Sequence, residues 1–239
     1  MCCRTRRGFR TGAQSEPLKI AFEPGEKFSY SGEGYHYLQS VLTELTGHVN
    51  PKDCEKFELD FEVCATDFHD YMKTNVLRPF GMSLSSYLLD DTLKPLAAAP
   101  HDAAGRPFER KSTLPGVARY GTAGGLRSTP TDYAKFLIEV MDPKPNDAFL
   151  LKKESVDEML RPQVKVDDMT SWALGWIVSH AKDGNAISHG GENPGFNSFG
   201  LFYPNNKSGY VIRTNADNGV KLIFENLIPK GIIEGLLQR

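Results

Sequence analysis

The 239-residue chain lacks any run of ~18 apolar residues, so it encodes no helix long enough to span a bilayer. It also lacks an apolar stretch behind the basic residues Met1-Cys2-Cys3-Arg4-Thr5-Arg6-Arg7, so the N-terminus does not read as a secretory signal. A cytoplasmic protein is expected from the sequence as written. Neither charge sign is in excess: 28 Lys and Arg face 30 Asp and Glu, for a net charge of −2. That balance gives no reason to expect nucleic acid or an anionic membrane as a partner. Cysteine is scarce, at four residues (Cys2, Cys3, Cys54 and Cys64), with no CxxC pair and no accompanying histidine cluster. No metal site is therefore expected. Cys54 and Cys64 could bridge in an exported chain, and two free thiols are expected without a signal. The glycine-rich stretches lack the P-loop pattern that cradles phosphate, and no cofactor is expected.

What is present is an ordinary globular composition, with 40% apolar residues. The length suits one large domain or two small ones. The sequence turns on Ile187-Ser188-His189-Gly190-Gly191-Glu192-Asn193-Pro194-Gly195-Phe196. This is an apolar approach, one titratable ring, two glycines and a Pro-Gly turn. Glycine lets a ligand approach the backbone, and a histidine there can act as acid, base or donor.

In chain order, Pro24-Gly25 marks a turn, and Tyr30-Ser31-Gly32 then enters an amphipathic helix. Ser31 suits its N-cap and Gly47 its end. Tyr35, Leu38, Leu42 and Leu45 fall at helical spacing as its apolar set. Phe57–Val63 alternates as a strand. A second helix is predicted over Asp67–Val76, stopped by Arg78-Pro79-Phe80-Gly81-Met82. Irregular backbone is expected over residues 90–120. Tyr120–Asp132 forms a second glycine-rich stretch, and Thr129, Pro130 and Asp132 compose a helix start. Tyr133, Phe136, Leu137 and Val140 supply that helix's buried face. A short helix is predicted over Glu154–Leu160.

The C-terminal part reads as a four-stranded antiparallel meander: Ala173–His180, Asn185–His189, Phe196–Tyr203 and Gly209–Thr214. The predicted connections are Lys182-Asp183-Gly184, a His-Gly-Gly turn and Pro204–Lys207. A final helix over Val220–Leu237 is interrupted at Pro229. The predicted class is α+β. It divides into an N-terminal segment (1–29) leading to a cleft, a mostly helical region (30–165), and a sheet with its C-terminal helix (166–239).

Several of these stretches together resemble the serine β-lactamase and penicillin-binding-protein superfamily, closest to class C β-lactamases and related esterases. The matching pieces are Glu23–Ser31, Arg78–Met82, Ala123–Thr129, Leu174-Gly175-Trp176, His189-Gly190-Gly191 with Pro194-Gly195-Phe196, and Thr214-Asn215. The family uses Ser-x-x-Lys, Tyr-x-Asn and Lys-Thr-Gly or a His-containing variant. Tyr30-Ser31-Gly32 matches the second with Gly32 in place of Asn, and His189-Gly190-Gly191 matches the variant third. The resemblance implies Tyr30 and His189 as catalytic residues facing one cleft. It implies Ser31, Gly190, Gly191 and Glu192 as substrate-binding, with the Glu192 N–H as an oxyanion donor.

It further implies a small-molecule β-lactam or ester substrate, in a family whose members are usually periplasmic or secreted. The only Ser-x-x-Lys is Ser179-His180-Ala181-Lys182, expected as exposed hairpin residues with no catalytic part. The resemblance thus implies an N-terminally truncated member, whose uncovered sheet edge predicts a homo-oligomer. A non-catalytic binding module is the alternative to a hydrolase.

Overall fold

The computed structural model describes residues 20–46, 66–110, 121–143, 151–231 and 233. The expectations for all four cysteines and for Phe57–Val63 lie outside the described residues. The chain forms two compact units. The first contains Met1–Arg78, Ser85–Pro95 and Ser112–Arg127; the second contains Pro79–Leu84, Leu96–Lys111 and Ser128–Arg239.

In the first unit, helix α1 (Gly32–Thr46) starts where its cap predicts: the Ser31 hydroxyl accepts the Gly34 N–H at 3.0 Å. Its buried stripe differs from the predicted one. His36, Gln39 and Thr43 are buried, whereas Leu38 and Leu45 are 52% and 79% exposed. The reason is the nature of what α1 packs on. A π-helical turn, Gly121–Gly125, presents backbone donors and almost no side chains to the helix. Gln39 Oε1 accepts the Thr122 N–H at 3.2 Å, and the Thr122 hydroxyl donates to the Tyr35 carbonyl. Buried polar groups must be satisfied, so the polar stripe faces that turn. Gly121 is fixed by space, since a Cβ there would lie 2.6 Å from the Phe68 ring. Helix α2 spans 66–72 and ends in a π-helical turn, Lys73–Leu77, with Phe68 and Leu77 buried.

The second unit is α+β. Helix α3 (Pro130–Met141) has Thr129 as N-cap, whose hydroxyl accepts the Asp132 N–H at 3.1 Å, and Pro130 opens the first turn. Asp132 is buried and accepts both the Leu84 N–H at 2.7 Å and the Lys135 ammonium at 2.9 Å. Helix α4 is Lys153–Leu160.

Among the described residues the sheet has six strands, in the order β1 (Val164–Lys165), β2 (Thr170–Trp172), β3 (Ile177–Ser179), β4 (Ala186–Asn193), β5 (Phe196–Tyr203) and β6 (Ser208–Thr214). Every pairing is antiparallel. Two predictions are corrected here. The single strand predicted over Ala173–His180 is a hairpin turn followed by β3, because Gly175 adopts φ 85° and turns the chain between Trp172 and Ile177. The predicted His-Gly-Gly turn is strand: β4 runs on through His189, Gly190 and Gly191 to Asn193, and the turn is Pro194-Gly195.

One sheet face packs on α3 and α4 through Leu137, Val140, Val156, Trp176, Val178, Ile187 and Phe202. Each such side chain contributes roughly 1.5–3 kcal/mol on burial. The other face meets the end of the chain, where α5 (Gly219–Lys221) runs into a π-helical turn, Leu222–Leu227, and Phe224 stands edge-on to Phe199 at 5.0 Å. The helix predicted over Val220–Leu237 is interrupted by a turn at 228–231, at Pro229 as expected, and residue 232 and residues 234–239 lie outside the described residues.

Candidate active site

Tyr30 and His189 fall in different units, and each is placed by its own surroundings. Tyr30 lies on irregular chain two residues before α1 and is 63% exposed. Ser31, next to it, spends its hydroxyl on the helix cap. Tyr35, one turn into α1, has its phenol pKa raised, first by burial and then by the neighbouring Tyr30. Gly32 opens the helix, and a Cβ there would find only Ala123 at 3.9 Å.

His189 sits in the middle of β4, half-buried. Its Nδ1 lies 2.5 Å from the Gly175 carbonyl oxygen, and the Trp172 ring stands edge-on at 5.6 Å. A carbonyl oxygen only accepts, so Nδ1 carries the proton and Nε2 is the basic nitrogen of the neutral ring. The Leu174-Gly175-Trp176 turn thus fixes the tautomer and orientation of His189. The motif is visible in the sequence, but its role depends on the hairpin that brings Gly175 back beside β4.

The register shows what shares the face of His189. Cross-strand partners lie on one face, which groups His189 with Gly200 and Val211, and Gly191 with Ser198 and Arg213. Gly190 and Gly191 fit closely: added Cβ atoms would lie 3.3 Å from the Phe199 ring and 3.2 Å from Ser198 Oγ. Glu192 is exposed and pairs with Asn197. Arg213 was not anticipated from sequence. Its guanidinium lies 5.1 Å above the Tyr133 ring, and among the described residues no carboxylate forms an ion pair with it. Burial lowers its pKa, partly offset by Tyr133; burial likewise raises the Tyr133 phenol, partly offset by Arg213.

The far end of β4 is anchored by two loops. The Gly195 N–H donates to Asp217 Oδ1, Asn197 Nδ2 donates to the Ala216 carbonyl at 2.8 Å, and Asn215 Nδ2 donates to the Ala99 carbonyl at 3.0 Å. Gly195 adopts φ 78° and packs on Pro100 and Phe108, so a side chain there meets both strain and collision. Lys182 is exposed as expected, whereas Ser179 is half-buried at the end of β3. Neither is at a helix N-terminus. Among the described residues no group of three His, Cys, Asp or Glu could hold a metal ion, and no helix is long and apolar enough to cross a membrane.

Known proteins share the fold of this chain. PbpX of Bacillus subtilis is 21% identical over 207 residues, covering 85% of this chain and 44% of its own length. A crystal structure of a penicillin-binding protein from Bacillus halodurans superposes with a TM-score of 0.66 at 23% identity, over 86% of this chain and 58% of that one. The octameric penicillin-binding protein homologue from Pyrococcus abyssi gives 0.60 at 22% identity, over 81% and 40%. The chain thus spans less than half the length of the curated relative. At these identities the structures establish a shared fold. The beta-lactamase family model matches residues 9–226, nearly the whole chain, and the protein belongs to that family.

Proposed function

We propose that the chain carries out class C β-lactamase-like hydrolysis of β-lactams or carboxylic esters, with Tyr30 and His189 serving one reaction. The observation that carries this reading is the Gly175–His189 hydrogen bond, which presents the basic Nε2 from a strand whose next two residues are glycines. Tyr30, at the entry to α1, supplies a phenol for proton transfer. The Glu192 N–H is assigned to the oxyanion, and Gly190 and Gly191 to close substrate approach. Arg213 offers its cation to a substrate carboxylate on the face of Gly191. Ser31 is assigned to substrate binding in addition to its cap of α1.

A second reading, a binding module without turnover, has its own support. The only Ser-x-x-Lys pair, Ser179 and Lys182, lies at a hairpin and not at a helix start. Nitrocefin and a p-nitrophenyl ester separate the two. Turnover above the protein-free rate supports the hydrolase, and saturable penicillin binding without turnover supports the module.

We further infer that the protein forms a homo-oligomer. Among the described residues β6 is the last strand of the sheet, and Leu38 and Leu45 are exposed on α1. Unpaired strand groups and exposed apolar area both favour self-association. Light scattering at micromolar concentration is expected to give a dimer or larger; a monomer contradicts it.

A further inference from the structure

A second constellation lies at the opposite end of the sheet from Pro194-Gly195. Ser171 is on β2, His180 directly follows β3, and Asn185 directly precedes β4. The His180 N–H donates to the Met169 carbonyl at 2.8 Å, which fixes where the ring leaves the hairpin. His180 Nε2 then lies 2.9 Å from Ser171 Oγ, and Nδ1 lies 3.3 Å from Asn185 Oδ1. The loop carrying Asn185 is itself tied down: the Gly184 N–H donates to the Ala181 carbonyl at 3.2 Å, and Asn205 Nδ2 donates to the Asp183 carbonyl at 3.2 Å.

The polarity of this chain of hydrogen bonds is determined by its end. An amide oxygen only accepts, so the proton sits on His180 Nδ1 and the Nε2 lone pair faces the Ser171 hydroxyl. Nucleophile, base and orienting group stand in the order that activates a serine. Asn185 is neutral, so it orients the ring without the added charge stabilisation of a carboxylate.

We propose that Ser171 is a nucleophile for small, activated acyl or phosphonyl donors, with His180 as its general base and Asn185 as the positioning residue. Ser171 is only 8% exposed, while Asn185 is exposed and His180 half-buried. Approach is therefore over the His180–Asn185 rim, and bulky donors are shut out. In the step, Ser171 Oγ forms a bond to the electrophilic carbon or phosphorus as its proton passes to Nε2. The bond to the leaving group breaks, and that group departs with the proton. With an alkyl fluorophosphonate, an O–P bond replaces the P–F bond and HF is released.

The test is intact-mass analysis and peptide mapping of the full chain after treatment with a small alkyl fluorophosphonate. One adduct on Ser171 is expected, absent in Ser171→Ala. His180→Gln is expected to slow labelling by about 100-fold or more, the usual contribution of a general base. Asn185→Ala, at an exposed position, is expected to slow it by less while leaving circular dichroism unchanged. No adduct, an adduct on another serine, or labelling at Ser171 that is indifferent to His180→Gln each overturn the proposal. The readout is covalent labelling, so it stands or falls separately from nitrocefin turnover.

Discussion

Trp176→Ala is expected to destabilise the sheet-containing unit by about 3–5 kcal/mol. Trp176 is 4% exposed and lies between two other rings of the core. Phe136 of α3 stacks on it at 6.0 Å with planes 16° apart, and Phe202 of β5 meets it edge-on at 5.5 Å. Truncation removes the transfer free energy of an indole and leaves a cavity that a helix and a sheet cannot both close. Against a typical total of about 5–15 kcal/mol, that is a large fraction. The same substitution loosens the turn whose Gly175 carbonyl holds His189, so any His189-dependent activity falls with it. Both tryptophans lie in this unit, and the variant keeps Trp172 beside the His189 ring. Urea unfolding followed by Trp172 fluorescence therefore reports the unit directly. A loss below about 1 kcal/mol would show that the three-ring stack is not central to the core.

Tyr30→Phe and His189→Ala are each expected to lower nitrocefin turnover by about 10²–10⁴, the range for a positioned acid or base. Tyr30→Phe removes one oxygen from a residue that is 63% exposed, so its effect on stability is small and the loss reads as chemistry. His189→Ala removes the ring fixed by Gly175. The expected pattern is a fall in kcat with KM little changed, because proton transfer matters in the transition state and not in substrate capture. Variants that keep full turnover would remove both residues from the reaction.

The parts of this fold that were legible in the sequence are those where a local signal and the tertiary packing agree. The Thr129-Pro130-Asp132 start and the apolar face of α3 are present as read, with Leu137 and Val140 buried. The Ser31 cap is likewise in place. The failures have separate physical causes. Periodicity shows that a stripe exists but not which stripe is covered: α1 buries His36, Gln39 and Thr43 because its neighbour is a turn rich in backbone donors. Glycine suggested a turn at His189-Gly190-Gly191, yet there it allows tight strand packing against Phe199 and Ser198. Conversely, Gly175 inside an apolar run is a true reversal at φ 85°. That reversal creates both the His189 anchor and the Ser171–His180 pair, so neither could be read from spacing alone.

The most direct test of the claim that Tyr30 and His189 serve one reaction is a double-mutant cycle on nitrocefin turnover with Tyr30→Phe, His189→Ala and the double variant. Residues acting in one transition state are not additive, so the double variant is expected to be about as slow as the worse single one. Losses that multiply would place Tyr30 and His189 in independent roles and contradict the proposal.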